Sequence, residues 1–277
     1  MPSMISGGRR WQTIELEVER SIARLRFNRP DSRNGVVSAM LVEVYEALRL
    51  VARCPEIDVL VLTGNGPTFC PGADLSRARD QSPGETALPS PEAYHSAELL
   101  HIMPQVTVAA INGACAGAGF AWAAACDLRI AADSAMFSVA FLELGLSSEL
   151  GLAWTMPRLL GGAATREVLF LPRKFSAAEL RDLHFIAAVF PQADFVRETD
   201  GFAASLAGRG GHALRLLKQD LLDAERLPLG EYLDVETGRH QELFRDDALI
   251  RTRTRLAAQA ARIRGAGQAE QPAQQKG

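Results

Sequence analysis

The stretch Val106-Thr107-Val108-Ala109-Ala110-Ile111-Asn112-Gly113-Ala114-Cys115-Ala116-Gly117-Ala118-Gly119 decides the fold. Its first six residues form a short apolar run that reads as a buried strand. Asn112-Gly113 is turn chemistry, and the small residues after it lead into a helix running from about Gly119 to Cys126. A strand that ends in small residues and opens a helix gathers unpaired backbone N–H groups at the helix start. Such groups can hold an anion or a developing oxyanion. A second stretch also ends a strand in small residues. Residues 59–63 read as a buried strand with a sharp exit at Gly64-Asn65-Gly66, followed by Thr68-Phe69-Cys70-Pro71-Gly72-Ala73-Asp74-Leu75. On spacing alone, each stretch reads equally well as a close-packed turn and nothing more. The pair Gly117 and Gly119 is not a dinucleotide fingerprint, because Trp122 stands where the third glycine would fall, and no Walker lysine follows it.

Working outward, residues 1–10 read as a flexible lead, and residues 11–18 and 22–27 as strands around a turn at Glu19-Arg20. Residues 29–35 carry loop chemistry. Ser38 reads as the cap of a helix with Leu41, Val44, Leu48 and Val51 at helical spacing. Residues 76–91 are polar and rich in Pro and Gly, and read as a mobile surface loop. Short strands near Leu128 and Phe137 precede helices over 150–160 and 163–171. Ser176-Ala177-Ala178-Glu179 is a capping box, in which the Ser and Glu side chains satisfy opposite backbone donors. Beyond about Gln192 the chain reads as helices over 193–207, 212–223, 229–244 and 246–264, with a disordered tail from Gly265. Strands alternate with helices early and helices run on alone late, which makes an α/β core with a helical C-terminal region. The expected division is a core over 11–200, a helical region over 201–265, and flexible ends at 1–10 and 266–277. No repeat of fixed period is visible, yet the strand spacing suggests stacked ββα turns.

Composition narrows the function. A net charge of −3 argues against a general nucleic-acid binder, and an aromatic content of 6% argues against a stacking platform for single strands. No apolar run reaches the roughly 18 residues of a membrane span, so neither nucleic acid nor membrane is an expected partner. Cys54, Cys70, Cys115 and Cys126 form no Cys-x-x-Cys pair and read as buried thiols rather than zinc or redox ligands. His95, His101, His184, His212 and His240 are scattered without metal spacing, so no metal is expected. Ser147 and Ser148 lack both the Gly-x-Ser-x-Gly frame and a paired histidine, which excludes a serine hydrolase. Residues 1–10 contain no apolar signal core, so a cytoplasmic protein with reduced thiols is expected.

Several separate motifs now stand in one order: Asn28-Arg29-Pro30 with Asn34, Leu60-Val61-Leu62-Thr63-Gly64, Phe69-Cys70-Pro71-Gly72-Ala73-Asp74-Leu75, Ala109-Ala110-Ile111-Asn112-Gly113, Ala116-Gly117-Ala118-Gly119, Cys126-Asp127 and Pro157-Arg158-Leu159-Leu160-Gly161. With them the chain, over residues 11–265, resembles the enoyl-CoA hydratase/isomerase (crotonase) superfamily. The resemblance implies an α/β, crotonase-like spiral of ββα turns whose C-terminal helical region makes trimer contacts, giving a homotrimer or a dimer of trimers. It implies an acyl-CoA thioester substrate bound by the core and no separate cofactor, coenzyme A being part of the substrate. The family's oxyanion hole consists of two backbone N–H groups, which fall here on Ala73 and Ala118. A thioester enolate puts negative charge on one oxygen, and two preorganised donors stabilise it more in the transition state than in the ground state. By the same resemblance Cys70, Gly72, Asp74 and Leu75 would line the CoA pocket, with Gly117 in the second turn and Phe141 as a pocket wall. Arg33 and Lys218 would meet CoA phosphates. Arg251, Arg253, Arg255, Arg262 and Arg264 would do the same, or simply form a solvated face.

The hydratases of this family place water with two glutamates. At the matching positions this chain has Ala121 and Phe141, which can neither hold nor deprotonate water. A carboxylate does appear at Glu149, four residues after Gly145, with Pro157-Arg158 eight and nine residues later, in the register of isomerase-type members. One acid suffices to move a double bond from C3–C4 to C2–C3, because no water is added. Apolar neighbours Leu146, Leu150, Leu152 and Trp154 could raise its pKa by desolvation. The plain alternative is an acid stabilised by the dipole of the following helix. Glu143 is the second candidate, with a structural hydrogen bond as its plain reading. The leading expectation is therefore an enoyl-CoA isomerase with Glu149 as proton shuttle. A hydratase or other thioester enzyme with a non-standard acid, and a non-catalytic acyl-CoA-binding scaffold, are the rivals.

Overall fold

The computed structural model describes residues 10–74, 89–139, 141–171, 173–245 and 254. Most of the expected lead at 1–10, most of the expected loop at 76–91, the expected helix at 246–264 with its arginines apart from Thr254, and the expected tail from Gly265 lie outside them.

Ile14–Glu19 (β1) and Ile22–Phe27 (β2) form an antiparallel hairpin. Ser38–Ala52 (α1) follows and buries Met40, Leu41, Val44, Ala47, Leu48 and Val51, the face that the helical spacing marked. Its N-cap is Val37 rather than Ser38, and no side-chain cap bond is made there.

Three successive segments then repeat one pattern of two strands and a helix. The first is Val59–Gly64 (β3), Thr68–Cys70 (β4) and Ser96–Ile102 (α2). The second is Val106–Ile111 (β5), Ala114–Ala116 (β6) and Ala118–Ala125 (α3). The third is Leu128–Ala132 (β7), Met136–Ser138 (β8) and Leu152–Phe170 (α4). Lys174–Ser176 (β9), Ala177–Asp182 (α5), Ala188–Phe190 (β10) and Phe195–Ala207 (α6) complete the core. Each repeat lays its first strand in a six-stranded sheet of order β1-β2-β3-β5-β7-β10 and its second in a four-stranded sheet of order β4-β6-β8-β9. The strands β3, β5 and β7 are mutually parallel, as are β4, β6 and β8. This is the spiral of stacked ββα turns.

The apolar runs are explained by position. All six residues of β5 are buried, and so are all eight of α3. Small residues let α3 sit in the middle of the spiral, with Phe120 stacked on Phe185 at 4.9 Å and Trp122 on Phe27 at 5.1 Å. The indole N–H of Trp122 donates to Ser96 Oγ at 2.9 Å, so its one polar group is satisfied. The capping box forms as read, Glu179 N–H donating to Ser176 Oγ and Ser176 N–H to the Glu179 carboxylate. The helices read over 150–160 and 163–171 both form within Leu152–Phe170 (α4), which is broken at Gly161, where φ of 74° and ψ of 168° are not helical.

The chain divides into two units, residues 1–218 and 219–277, the boundary falling within Gly211–Ala224 (α7). In the first unit, Lys218 is buried and donates to Leu100 O at 3.2 Å and Gln105 O at 2.9 Å, and pairs with Asp127 at 2.8 Å. Asp127 also accepts from Thr107 N–H and Oγ–H. In the second unit, Arg239 of Leu229–Arg245 (α8) bridges Asp220 at 2.6 Å and Asp223 at 2.5 Å. No helix among the described residues is long and apolar enough to cross a membrane.

Lys218→Ala removes the buried partner of Asp127 and the ammonium donor to Leu100 O and Gln105 O, of which Leu100 O keeps the Thr107 hydroxyl. It should cost about 3 kcal/mol of stability, the scale for breaking a buried pair, read as a lowered midpoint in urea unfolding. Lys218→Met, which keeps the packed stem, should lose less.

Candidate active site

Strands β4 and β6 run parallel, with Cys70 opposite Cys115. Two residues past each partner comes a glycine, Gly72 on one strand and Gly117 on the other. The two turns therefore leave the sheet in step and touch backbone to backbone. A side chain on Gly72 would sit 3.2 Å from Ala116 O and 3.3 Å from Gly117 Cα, and one on Gly117 would sit 3.2 Å from Gly72 Cα. Both glycines also take positive φ, 92° at Gly72 and 51° at Gly117, where other residues are strained. The following residues are Ala73 and Ala118. Ala118 is the first residue of α3, whose first intrahelical bond is Ala121 N–H to Gly117 O, so its own N–H has no partner within the helix. Ala73 bridges Val36 in parallel: Val36 N–H donates to Gly72 O at 2.8 Å and Asp74 N–H to Val36 O at 3.0 Å. That pattern engages the residues on either side of Ala73 and turns its own N–H the other way.

The first turn is held by a polar clamp. Arg29 pairs with Asp74 at 2.8 Å, both largely buried, and also donates to Gly35 O. The fully buried Asn34 accepts from Arg29 N–H at 2.9 Å and donates to Asn65 O at 3.0 Å and Thr68 O at 2.7 Å. The motif residues Arg29 and Asn34 thus shape the turn, a role that their spacing did not disclose.

Beneath both turns lies Cys70. Burial, with a smaller push from the carboxylate of Glu149, raises its thiol to about 12 against the pull of N–H donors at Gly72 and Gly119. Glu149 is thus close enough for its charge to reach the thiol that underlies both turns. It is half-buried, and loss of solvent raises its own pKa above 4.5. The chain reverses directly after it: Leu152 N–H donates to Glu149 O at 3.0 Å, with φ of 50° at Leu150 and 69° at Gly151. For that reason α4 starts at Leu152 and not at residue 150.

The remaining expected site residues divide. Gly72, Ala73, Asp74, Gly117 and Ala118 come together, although the carboxylate of Asp74 is engaged by Arg29. Arg33 is exposed two residues before Gly35, which abuts Asp74. Leu75 lies outside the described residues. Cys70 has no exposed surface, so its side chain supports the turn from below and is closed to a ligand above it. Phe141, 4% exposed, and Ala121, fully buried, belong to the core. Glu143 is exposed in a short 3-10 turn at Leu142–Leu144. Lys218 is not brought to the turns. Its partner Asp127 lies beyond the far end of α3 from Ala118, about 12 Å away at 1.5 Å per residue, and its ammonium is already bonded to Asp127 and two carbonyls.

A family model for enoyl-CoA hydratase/isomerase matches residues 17–257. The chain belongs to the enoyl-CoA hydratase/isomerase family. Among its relatives, 1,2-epoxyphenylacetyl-CoA isomerase of Escherichia coli is 33% identical over 227 residues, which cover 79% of this chain and 85% of the relative. The crystal structure of enoyl-CoA hydratase from Bacillus anthracis superposes with a TM-score of 0.81 at 25% identity, covering 90% of this chain and 97% of that one. A putative enoyl-CoA hydratase from Thermobifida fusca in complex with acetoacetyl-CoA gives a TM-score of 0.76 at 26% identity, covering 83% and 94%. This family enzyme therefore has relatives named for both isomerisation and hydration.

A raised carboxyl pKa destabilises the fold wherever the group is ionised. Glu149→Gln should therefore unfold at a higher temperature than the wild type at pH 7–8. The gap should narrow as pH falls and close below the unfolded value near 4.5, where both side chains are neutral.

Proposed function

We propose that this enzyme moves the double bond of a 3-enoyl-CoA to the 2-position, with Glu149 as proton carrier and the N–H groups of Ala73 and Ala118 as donors to the thioester oxygen. The observation that carries the reading is the pairing of two adjacent turns with one half-buried, desolvated carboxylate whose charge reaches the residue beneath them. The relatives named for CoA thioesters supply the substrate class.

Donors on neighbouring strands stand about 4.8 Å apart. An oxygen accepting from both at about 2.9 Å would see them at an angle of about 110°, close to the spread of two lone pairs. The carboxylate of Glu149 takes a proton from C2, and the electron pair moves onto the thioester oxygen as an enolate. As the enolate collapses, the C2–C3 bond becomes double, the former C3–C4 π pair takes the proton at C4, and Glu149 is again a carboxylate. Hydration is disfavoured because Ala121 and Phe141 put apolar core where two water-holding acids would be needed. Glu149 must be ionised to begin, so kcat/KM should rise with pH through a value above the ordinary 4.5.

Purified protein offered 3-enoyl-CoA and 2-enoyl-CoA series should isomerise the former and leave the latter unhydrated. Glu149→Gln should bind the CoA ester nearly as well while turnover falls roughly 10²-fold or more. An active Gln variant would move the chemistry to Glu143 or elsewhere. Wild-type protein that binds acyl-CoA yet turns over neither series would favour a binding scaffold. We further propose a homotrimer or a dimer of trimers, since Leu217, Leu221, Leu229 and Leu233 of α7 and α8 are solvent-facing in the single chain. Light scattering should then give a multiple of three times 30.0 kDa.

A further inference from the structure

We infer that Leu150 is a positioning residue, a buried anchor in left-handed backbone that holds the turn from which Glu149 projects. The inference rests on the reading of Glu149 as the proton carrier. Residues 149–152 form a tight turn closed by Leu152 N–H to Glu149 O at 3.0 Å, and both central residues have positive φ, 50° at Leu150 and 69° at Gly151. Such a turn favours Asn or Gly at its first central position. Leucine there crowds its Cβ against the following carbonyl, and a bulky residue at positive φ is uncommon enough to need a cause.

The cause is visible in the packing. The Leu150 side chain is 5% exposed and belongs to the main hydrophobic core, while Leu146 before it is 53% exposed and Ser147 is open to solvent. After it, Trp154 N–H and Thr155 N–H both donate to Gly151 O, which ties the turn to the first residues of α4. Glu149 thus sits between an exposed segment and a rigid helix, and Leu150 is the adjacent side chain driven into the core. Strained backbone persists where the surroundings over-determine it, and it clusters where geometry matters for chemistry. Asparagine would suit the turn but could not serve as the anchor. The structure therefore has leucine where local backbone preference alone would select another residue.

The experiment compares Leu150→Asn, Leu150→Gly and Leu150→Met with the wild type and Glu149→Gln, on the isomerase substrate, in protein shown to be folded by near-UV circular dichroism. Asn and Gly satisfy the backbone and remove the anchor. Their kcat should fall about 10-fold or more, with KM within about 3-fold. Leu150→Met keeps an apolar side chain of similar volume and should restore kcat to within about 3-fold. Gly replaces Asn as the deciding variant if the amide is not tolerated in the core. Folded Asn or Gly variants with wild-type kcat, beside an inactive Glu149→Gln, would overturn the role of Leu150 and leave that of Glu149 intact. Full activity in Glu149→Gln would instead remove the reading on which the inference stands. A uniform loss in all three Leu150 variants, Met included, would also overturn it, because an anchor of similar volume would then have failed to hold the turn.

Discussion

The parallel pairing of β4 with β6 is the contact on which the rest of the site depends. Setting Cys70 opposite Cys115 fixes where each strand ends, and two residues later Gly72 meets Gly117 with no side chain between them. Neighbouring strands have one characteristic spacing, so two turns leaving them in step present their next residues side by side. The pairing is anchored from below, where Gly119 lies so close to Cys70 that a side chain on it would come within 2.7 Å of Cys70 Cβ. The buried thiol is thus part of the foundation.

Around that contact the fold divides its labour by polarity. The second turn is held by α3, a helix so poor in large polar groups that it can be buried whole. The first turn has no such helix among the described residues and is held by ions and amides, with Arg29 on Asp74 and Asn34 on Asn65 and Thr68. Buried polar groups retain their place only when their hydrogen bonds are made, and here the making of those bonds shapes the turn.

The charge at Glu149 follows from the same economy. Partial burial raises the carboxyl pKa, which costs folding stability at neutral pH and makes the group a better proton acceptor. Ala121 and Phe141, by contrast, add to the core without cost. On the proposed reading, one acid in place of two is what separates a proton shuttle from a water-holding pair. The left-handed turn at Leu150 and Gly151 adds a second local cost beside the first, and both fall on the segment that carries the carboxylate.

The strand runs at 59–63 and 106–111, the helix spacing of α1 and the capping box at Ser176 and Glu179 were legible from the amino-acid sequence, because each is a local pattern whose period or hydrogen bonding lies within a few residues. The order of motifs gave the family and marked Gly72, Ala73, Gly117, Ala118 and Glu149. The three-residue strands β4, β6, β8 and β9 are too short to show a period, and of these only β8, near Phe137, was read as a strand. Their pairing, which brings the two turns into contact, joins residues 45 apart and belongs to the tertiary structure. So does the assignment of charged residues. Lys218 and Arg33 are both cations in the sequence, but burial against Asp127 commits one to the core and exposure leaves the other at the surface. Residue type sets which chemistry is available, and only long-range packing decides which groups meet, since that depends on the path of the whole spiral.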